Sequence, residues 1–327
     1  MNRKNILAIF IIAATVVASG CGGNSNQNTP STSPIKIQDF SAFPNPVPAG
    51  QTVQFNIELK NKGDVDAQNV AFRLFNPPFG TSGQKRTWRG VNRDLTSTGG
   101  RTLSTFNTLR APTENNPAIP ATATISMTAP EIGQGNTISY TFLGKLFYTY
   151  NTSAQTEIQV MSQERFRESG VARKQPSVDT SSGPIQLDVR TATPIIQYSG
   201  DTGPNSEMCV IVRNKGSGTP FLVDGSNSAL TGSDRVYNVN DSNADKVKLT
   251  VHDVGNFDLD ANPETDTDKN SVTVKLVGSK GIQCFGIDQT DSVTEGSGQK
   301  TYNVQMEAKY GYTRETSTAV TVEGRRQ

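Results

Sequence analysis

Apolar and polar residues alternate with a period of two through much of this chain, the spacing expected of half-buried strands rather than helices. From Gln51 to Lys60, Val53, Phe55, Ile57 and Leu59 fall on one face and Gln54, Asn56, Glu58 and Lys60 on the other. That run predicts a strand with one face in a core. It ends at Asn61-Lys62-Gly63, residue types that tolerate the backbone of a tight turn, and inward positions resume at Val70, Phe72 and Leu74. The order returns downstream, where Met208, Val210 and Val212 repeat the inward set and Arg213-Asn214-Lys215-Gly216 repeats Lys60-Asn61-Lys62-Gly63. A second match, at nearly the same shift, sets Tyr148-Thr149-Tyr150, Ile158 and Val160 beside Tyr310-Gly311-Tyr312, Val320 and Val322.

Two related units are expected from these matches, at residues 35–162 and 184–324. Each is predicted to close with a hairpin, turning at Asn151-Thr152-Ser153 in the first and at Thr313-Arg314-Glu315 in the second. Residues 163–183 between them are charged and then Ser/Pro/Gly-rich, and read as a linker with a short helical turn. The expected fold class is all-β, two β-sandwiches in tandem.

The beginning of the chain follows another logic. Asn2-Arg3-Lys4 is a basic start, and Ile6 to Val17 is an uncharged apolar run too short to span a membrane. Residues 1–20 therefore read as an export signal. Ala18-Ser19-Gly20-Cys21 resembles the lipobox of prokaryotic lipoproteins, with Ala18 where that family more often has Leu or Val. The resemblance implies that Cys21 becomes the mature N-terminus and carries a diacylglyceryl group; the alternative is an ordinary cleaved signal beside an unpaired thiol. Gly22 to Pro34 offers no large apolar side chain to bury, so residues 21–34 are expected to be a lipidated cysteine and a solvated tether reaching at most roughly 40 Å. Stable anchoring takes two or more acyl chains. The expected location is the cell membrane or outer membrane, facing away from the cytoplasm.

Charge narrows the partners. Lys and Arg number 31 against 30 Asp and Glu, so no broad field favours nucleic acid. Phe43-Pro44-Asn45-Pro46-Val47-Pro48-Ala49-Gly50-Gln51, leading into the Gln51–Lys60 strand and Asn61-Lys62-Gly63, resembles CARDB, a cell-adhesion-related, immunoglobulin-like domain of prokaryotic surface proteins. The resemblance covers the start of the first unit. The second keeps the later strand but begins instead with Thr193-Pro194-Ile195-Ile196-Gln197. It implies immunoglobulin-like sandwiches and an adhesive role.

Few residues invite chemistry. His252 is the only histidine and ends the alternating run Val247–Val251, where Asp253 points to the opposite face, so no relay forms and no zinc cluster exists. Cys209 and Cys284 in an exported chain are expected to form a disulfide. By the repeat, Cys209 takes the outward position of Asn56, which puts the bridge on an outer face rather than through the core. Two separate thiols are the alternative. Asp258, Asp260, Asn262 and Glu264 place oxygens at alternate positions, as in a calcium loop, although Pro263 stands where the EF-hand needs glycine. The competing reading is a solvated acidic loop. Asn151-Thr152-Ser153 and Asn240-Asp241-Ser242 fit the N-glycosylation pattern. Trp88, among Lys85, Arg86, Arg89, Arg93 and Arg101, is a candidate grip for a sugar or protein partner, or else a cap on its own sandwich edge.

The function expected from these readings is non-catalytic. A lipid-anchored surface protein would present tandem sandwiches to an envelope protein or polysaccharide and would need no cofactor, the acidic run being its one candidate place for a structural calcium ion. The alternatives are a subunit of a surface assembly, pairing through an edge strand, and an envelope carbohydrate-active enzyme, which would need paired carboxylates across a cleft.

Overall fold

The computed structural model describes residues 32–77, 86–90, 103–197, 206–223, 239–252, 257–260, 271–289 and 298–325. The first half of the chain forms β1 (Ile35–Phe43), β2 (Val47–Pro48), β3 (Thr52–Asn61), β4 (Ala67–Phe75), β5 (Arg89–Gly90), β6 (Leu103–Leu109), β7 (Ala121–Thr128) and β8 (Thr137–Ser162). A short helix, α1 (Gln163–Ser169), follows, with Ser162 Oγ accepting from Arg165 N–H at its start and Gly170 in the left-handed region at its end. The second half forms β9 (Val178–Thr180), β10 (Ile185–Arg190), β11 (Ile195–Gln197), β12 (Ser206–Asn214), β13 (Thr219–Phe221), β14 (Lys246–His252), β15 (Phe257–Asp260), β16 (Ser271–Lys275), β17 (Lys280–Gln289) and β18 (Gln299–Glu323). The fold is an all-β sandwich.

The same pairing scheme occurs twice. One small sheet has the order β1-β3-β7-β5 and the other β10-β12-β17-β15. Both lie against a large shared sheet ordered β16-β14-β18-β8-β4-β6. The correspondence extends to short strands: β2 pairs in parallel with β18 through Val47 and Val322, and β11 pairs in parallel with β8 through Ile195 and Val160.

Alternation explains most of the inward set. In β3, Val53, Phe55, Ile57 and Leu59 are buried, as are Met208, Val210 and Val212 in β12. At the end of each strand an asparagine organises the turn. Asn61 Nδ2 donates to the Val65 and Leu109 carbonyls, while its Oδ1 accepts from Gly63 N–H. Asn214 does the same with the Gly218 carbonyl and Gly216 N–H. Each glycine leaves room for a tyrosine hydroxyl: a Cβ on Gly63 would stand 2.2 Å from Tyr150 Oη, and one on Gly216 2.3 Å from Tyr312 Oη.

The expected closing hairpins are not formed. β8 runs for 26 residues through Asn151-Thr152-Ser153, and β18 for 25 through Thr313-Arg314-Glu315, with the two antiparallel from Thr137↔Glu323 to Met161↔Gln299. The reason is parity. Even-numbered positions of β8 remain buried through the supposed turn, Thr152 among them, so the alternation never breaks. The Thr152 hydroxyl is satisfied inside by the Tyr310 hydroxyl at 2.8 Å. Polar side chains in sequence suggest a turn, but a threonine with a buried partner continues a strand.

Each long strand therefore serves both halves. The early part of β8 pairs with β4 on one edge, and the late part of β18 covers its other edge. The early part of β18 pairs with β14 and is covered by the late part of β8. One contiguous apolar core runs from Ile35 to Val322 through both halves. Residues 163–183, expected as a linker, carry α1 and β9, and β9 adds to the sheet by pairing with β8 at Ala154↔Thr180.

Candidate binding groove

Where even-numbered residues of β8 and β18 face the core, odd-numbered ones form an outer face. Along the stretch where the strands pair as Asn151↔Lys309, Ser153↔Glu307, Gln155↔Gln305, Glu157↔Asn303 and Gln159↔Thr301, that face is entirely polar. β9 borders it on the β8 side and β14, ending in His252, on the β18 side. Two adjoining cavities lie there, of about 510 Å³ and 480 Å³, and both are lined by Gln155 and Asp179. Together they make a long, shallow, hydrophilic groove.

Several of its charges are tied down. Glu307 lies 3.7 Å from His252 Nε2 and 3.4 Å from Lys309 Nζ, and it accepts from Asn151 Nδ2. That hydrogen bond fixes the orientation of the Asn151 amide, because the reverse would set two oxygens together. Asn151 Oδ1 is then left buried with no hydrogen-bond partner. The side chains of Gln155 and Gln305, directly opposed on the floor, have no hydrogen-bond partners among the described residues. The groove can offer amide and carboxylate hydrogen bonds.

Trp88 is not a surface grip. It is 1% exposed and packs edge-on against Phe142 at 4.8 Å and Tyr140 at 5.6 Å between ring centroids. Burying an indole beneath the small sheet is worth more than leaving it among solvated cations. Cys209 and Cys284 are bridged, directly opposite each other on neighbouring strands β12 and β17. The corresponding place in the first half holds Asn56 and Thr124, joined by a 3.3 Å hydrogen bond. Glu207 completes a close acid-and-cysteine trio with them, but both sulfurs are spent in the disulfide.

Of the calcium-loop candidates, Asp258 and Asp260 belong to the edge strand β15, opposite Asp288 and Gly286, whereas Asn262 and Glu264 lie outside the described residues, as does Cys21. Asn151 sits mid-strand with its amide engaged by Glu307, and Asn240 sits in a turn where its Oδ1 accepts from both Ser242 N–H and Ser242 Oγ. The groove escaped sequence reading. Its signal was present as the odd-numbered polar series of β8 and β18, but a turn placed at residues 151–153 broke the series in two.

No family model matches the chain, and no curated protein does. Among solved structures it is similar to the C-terminal globular domain of an oligosaccharyltransferase from Pyrococcus abyssi, at 10% identity over 90% of this chain and 50% of that one, with a TM-score of 0.21. This chain thus spans half the length of that protein. It is also similar to the sporulation control protein Spo0M of Bacillus subtilis (10% identity, 58% and 75% coverage, TM-score 0.16) and to the CupB6 tip adhesin of Pseudomonas aeruginosa (8%, 89% and 96%, 0.13). At these scores the likenesses carry no argument about function.

Proposed function

We propose that this chain is a lipid-anchored protein of a prokaryotic cell envelope that binds a partner without performing chemistry on it. Export would be directed by residues 1–20, and the lipid would sit on Cys21. The observation that carries the binding role is the unbroken β8–β18 ribbon. Its 25 paired residues correspond to roughly 80 Å of extended chain at about 3.3 Å per residue, and it welds both halves into one stiff body with a polar groove on its outer face.

The position of the tether supports display of that groove. Ser33 Oγ accepts from Arg314 Nη1, and the Pro34 carbonyl accepts from Lys62 N–H. Arg314 is an even-numbered position of β18, so the tether joins the inward side of the sheet near mid-ribbon, opposite the face that bears the groove. A body held from that side would turn the groove outward.

Fractionation of cells expressing the full chain, followed by mass spectrometry of the mature N-terminal peptide, tests the anchor. The wild type is expected in the membrane fraction with a diacylglyceryl adduct on Cys21, and Cys21→Ser in the soluble one. A free wild-type protein with an unmodified thiol would overturn the proposal.

A further inference from the structure

We infer that the groove on the outer face of the β8–β18 ribbon binds a neutral, hydroxyl-rich chain, an oligosaccharide, through side-chain amides and carboxylates. The inference rests on the reading of this chain as an envelope binding protein and gives that reading a ligand class.

Asymmetry is the first argument. The two halves repeat the same pairing, so features common to both follow from the fold. Among the described residues β9 has no counterpart in the first half, and it lies along the edge of β8 where the polar face begins, at Ala154↔Thr180. The cavities lie beside this addition and hold Asp179, which it supplies.

Hydrogen-bonding capacity is the second. Gln155 and Gln305 each offer an N–H donor pair and a carbonyl acceptor, unused by the protein among the described residues. Asn151 Oδ1, buried and unpartnered, is a further acceptor beside them. A sugar hydroxyl both donates and accepts, so a row of hydroxyls answers a row of amides without any charge. The charges lining the groove, Glu157, Asp179 and Glu307 with Lys174, are mixed and on balance acidic, which gives a polyanion no attractive field to follow.

The backbone supplies the third. An extended peptide binds a sheet by adding to a free edge. Here β8 is paired along its length by β18 and from Ala154 to Thr156 by β9, and β18 is paired by β8 and from Gln305 to Lys309 by β14. Around Gln155 and Gln305 the floor therefore offers side chains alone, which suits a glycan lying across the strands better than a peptide seeking a ladder.

The full-length lipoprotein in detergent can be passed over surfaces bearing maltohexaose, mannohexaose or chitohexaose, with heparin as the polyanion. Retention of at least one neutral oligosaccharide is expected, weakened about tenfold or more by the Gln155→Ala, Gln305→Ala double variant at an unchanged melting temperature. The inference is overturned if no neutral oligosaccharide is retained, if heparin is preferred, or if the folded double variant binds as the wild type does. Membrane fractionation of the same preparations keeps the two proposals apart: a protein that stays membrane-bound but retains no sugar rejects the ligand and leaves the anchor standing.

Discussion

Tyr150 lies directly opposite Tyr310 across β8 and β18, with ring centroids 6.4 Å apart, at the point where the two halves of the molecule meet. Tyr148 and Tyr312 make the neighbouring pair, at 5.7 Å. All four rings are buried. Burial raises the pKa of each, well above the ordinary tyrosine range for Tyr148 and Tyr310 and to about 12 for Tyr150.

This cluster makes the fold sensitive to alkali. The folded state keeps these phenols neutral while the unfolded chain ionises them from about pH 10, so their contribution is fully present below that pH. It is lost as pH rises, with the Tyr150 share disappearing between about 10 and 12. The loss is about 1.4 kcal/mol per pH unit per tyrosine, or about 3 kcal/mol for Tyr150. Urea unfolding at pH 9 and pH 11.5, with phenolate absorbance followed in parallel, should show the drop, and Tyr150→Phe should make it smaller. An equal drop in Tyr150→Phe would refute the assignment.

The turn glycines should be irreplaceable for a steric reason. A Cβ on Gly63 would stand 2.2 Å from the Tyr150 hydroxyl and 2.7 Å from Pro34 Cβ, and one on Gly216 2.3 Å from the Tyr312 hydroxyl and 2.8 Å from Pro184 Cβ. Gly63→Ala and Gly216→Ala should each cost about 1–3 kcal/mol through overpacking. Combining Gly63→Ala with Tyr150→Phe removes one of the clashing atoms, so the double variant should lose less than the sum of the singles in denaturant melts. Simple additivity would count against the clash.

The disulfide should stabilise without being required for the fold. It joins cysteines separated by 75 residues, which corresponds to about 4 kcal/mol on the loop-entropy model. The first half has the same strand pairing with only the Asn56–Thr124 hydrogen bond in that place. Cys209→Ser with Cys284→Ser should therefore keep the far-ultraviolet β signature while melting earlier. A variant that loses its strands altogether would contradict this.

Much of the sandwich was legible because buried strands write their parity into the chain. Val53 to Leu59 and Met208 to Val212 could be assigned before any coordinates, and so could the recurring Asn-Lys-Gly turns. The outward position of Cys209 followed from its match to Asn56. The ribbon was not legible in the same way, because Thr152 and Thr156 hold inward positions with polar atoms and only a structure reveals that Tyr310 and the Ser177 carbonyl satisfy them. Trp88 was misleading for the converse reason. Its cationic neighbours in sequence say nothing about Tyr140 and Phe142, which come from a distant strand. The groove depends on two departures from the sequence pattern, the continuity of β8 through residues 151–153 and the pairing of β9 from the expected linker beside it.

Continuity of β8 and β18 also predicts how the molecule unfolds. Tandem domains joined by a linker melt separately, whereas here Val320 and Val322, near the end of the chain, are fully buried opposite Tyr140 and Ile138 in the first half. Removing methyl groups at the end of β18 should therefore loosen strands more than two hundred residues earlier in sequence. Val322→Ala is expected to cost about 1–3 kcal/mol and to raise amide exchange in β3 and β4 as well as in β12. Calorimetry of the wild type should give one transition with equal calorimetric and van't Hoff enthalpies. Two resolved transitions, with Val322→Ala shifting only the one assigned to the second half, would show that the shared ribbon does not couple the halves.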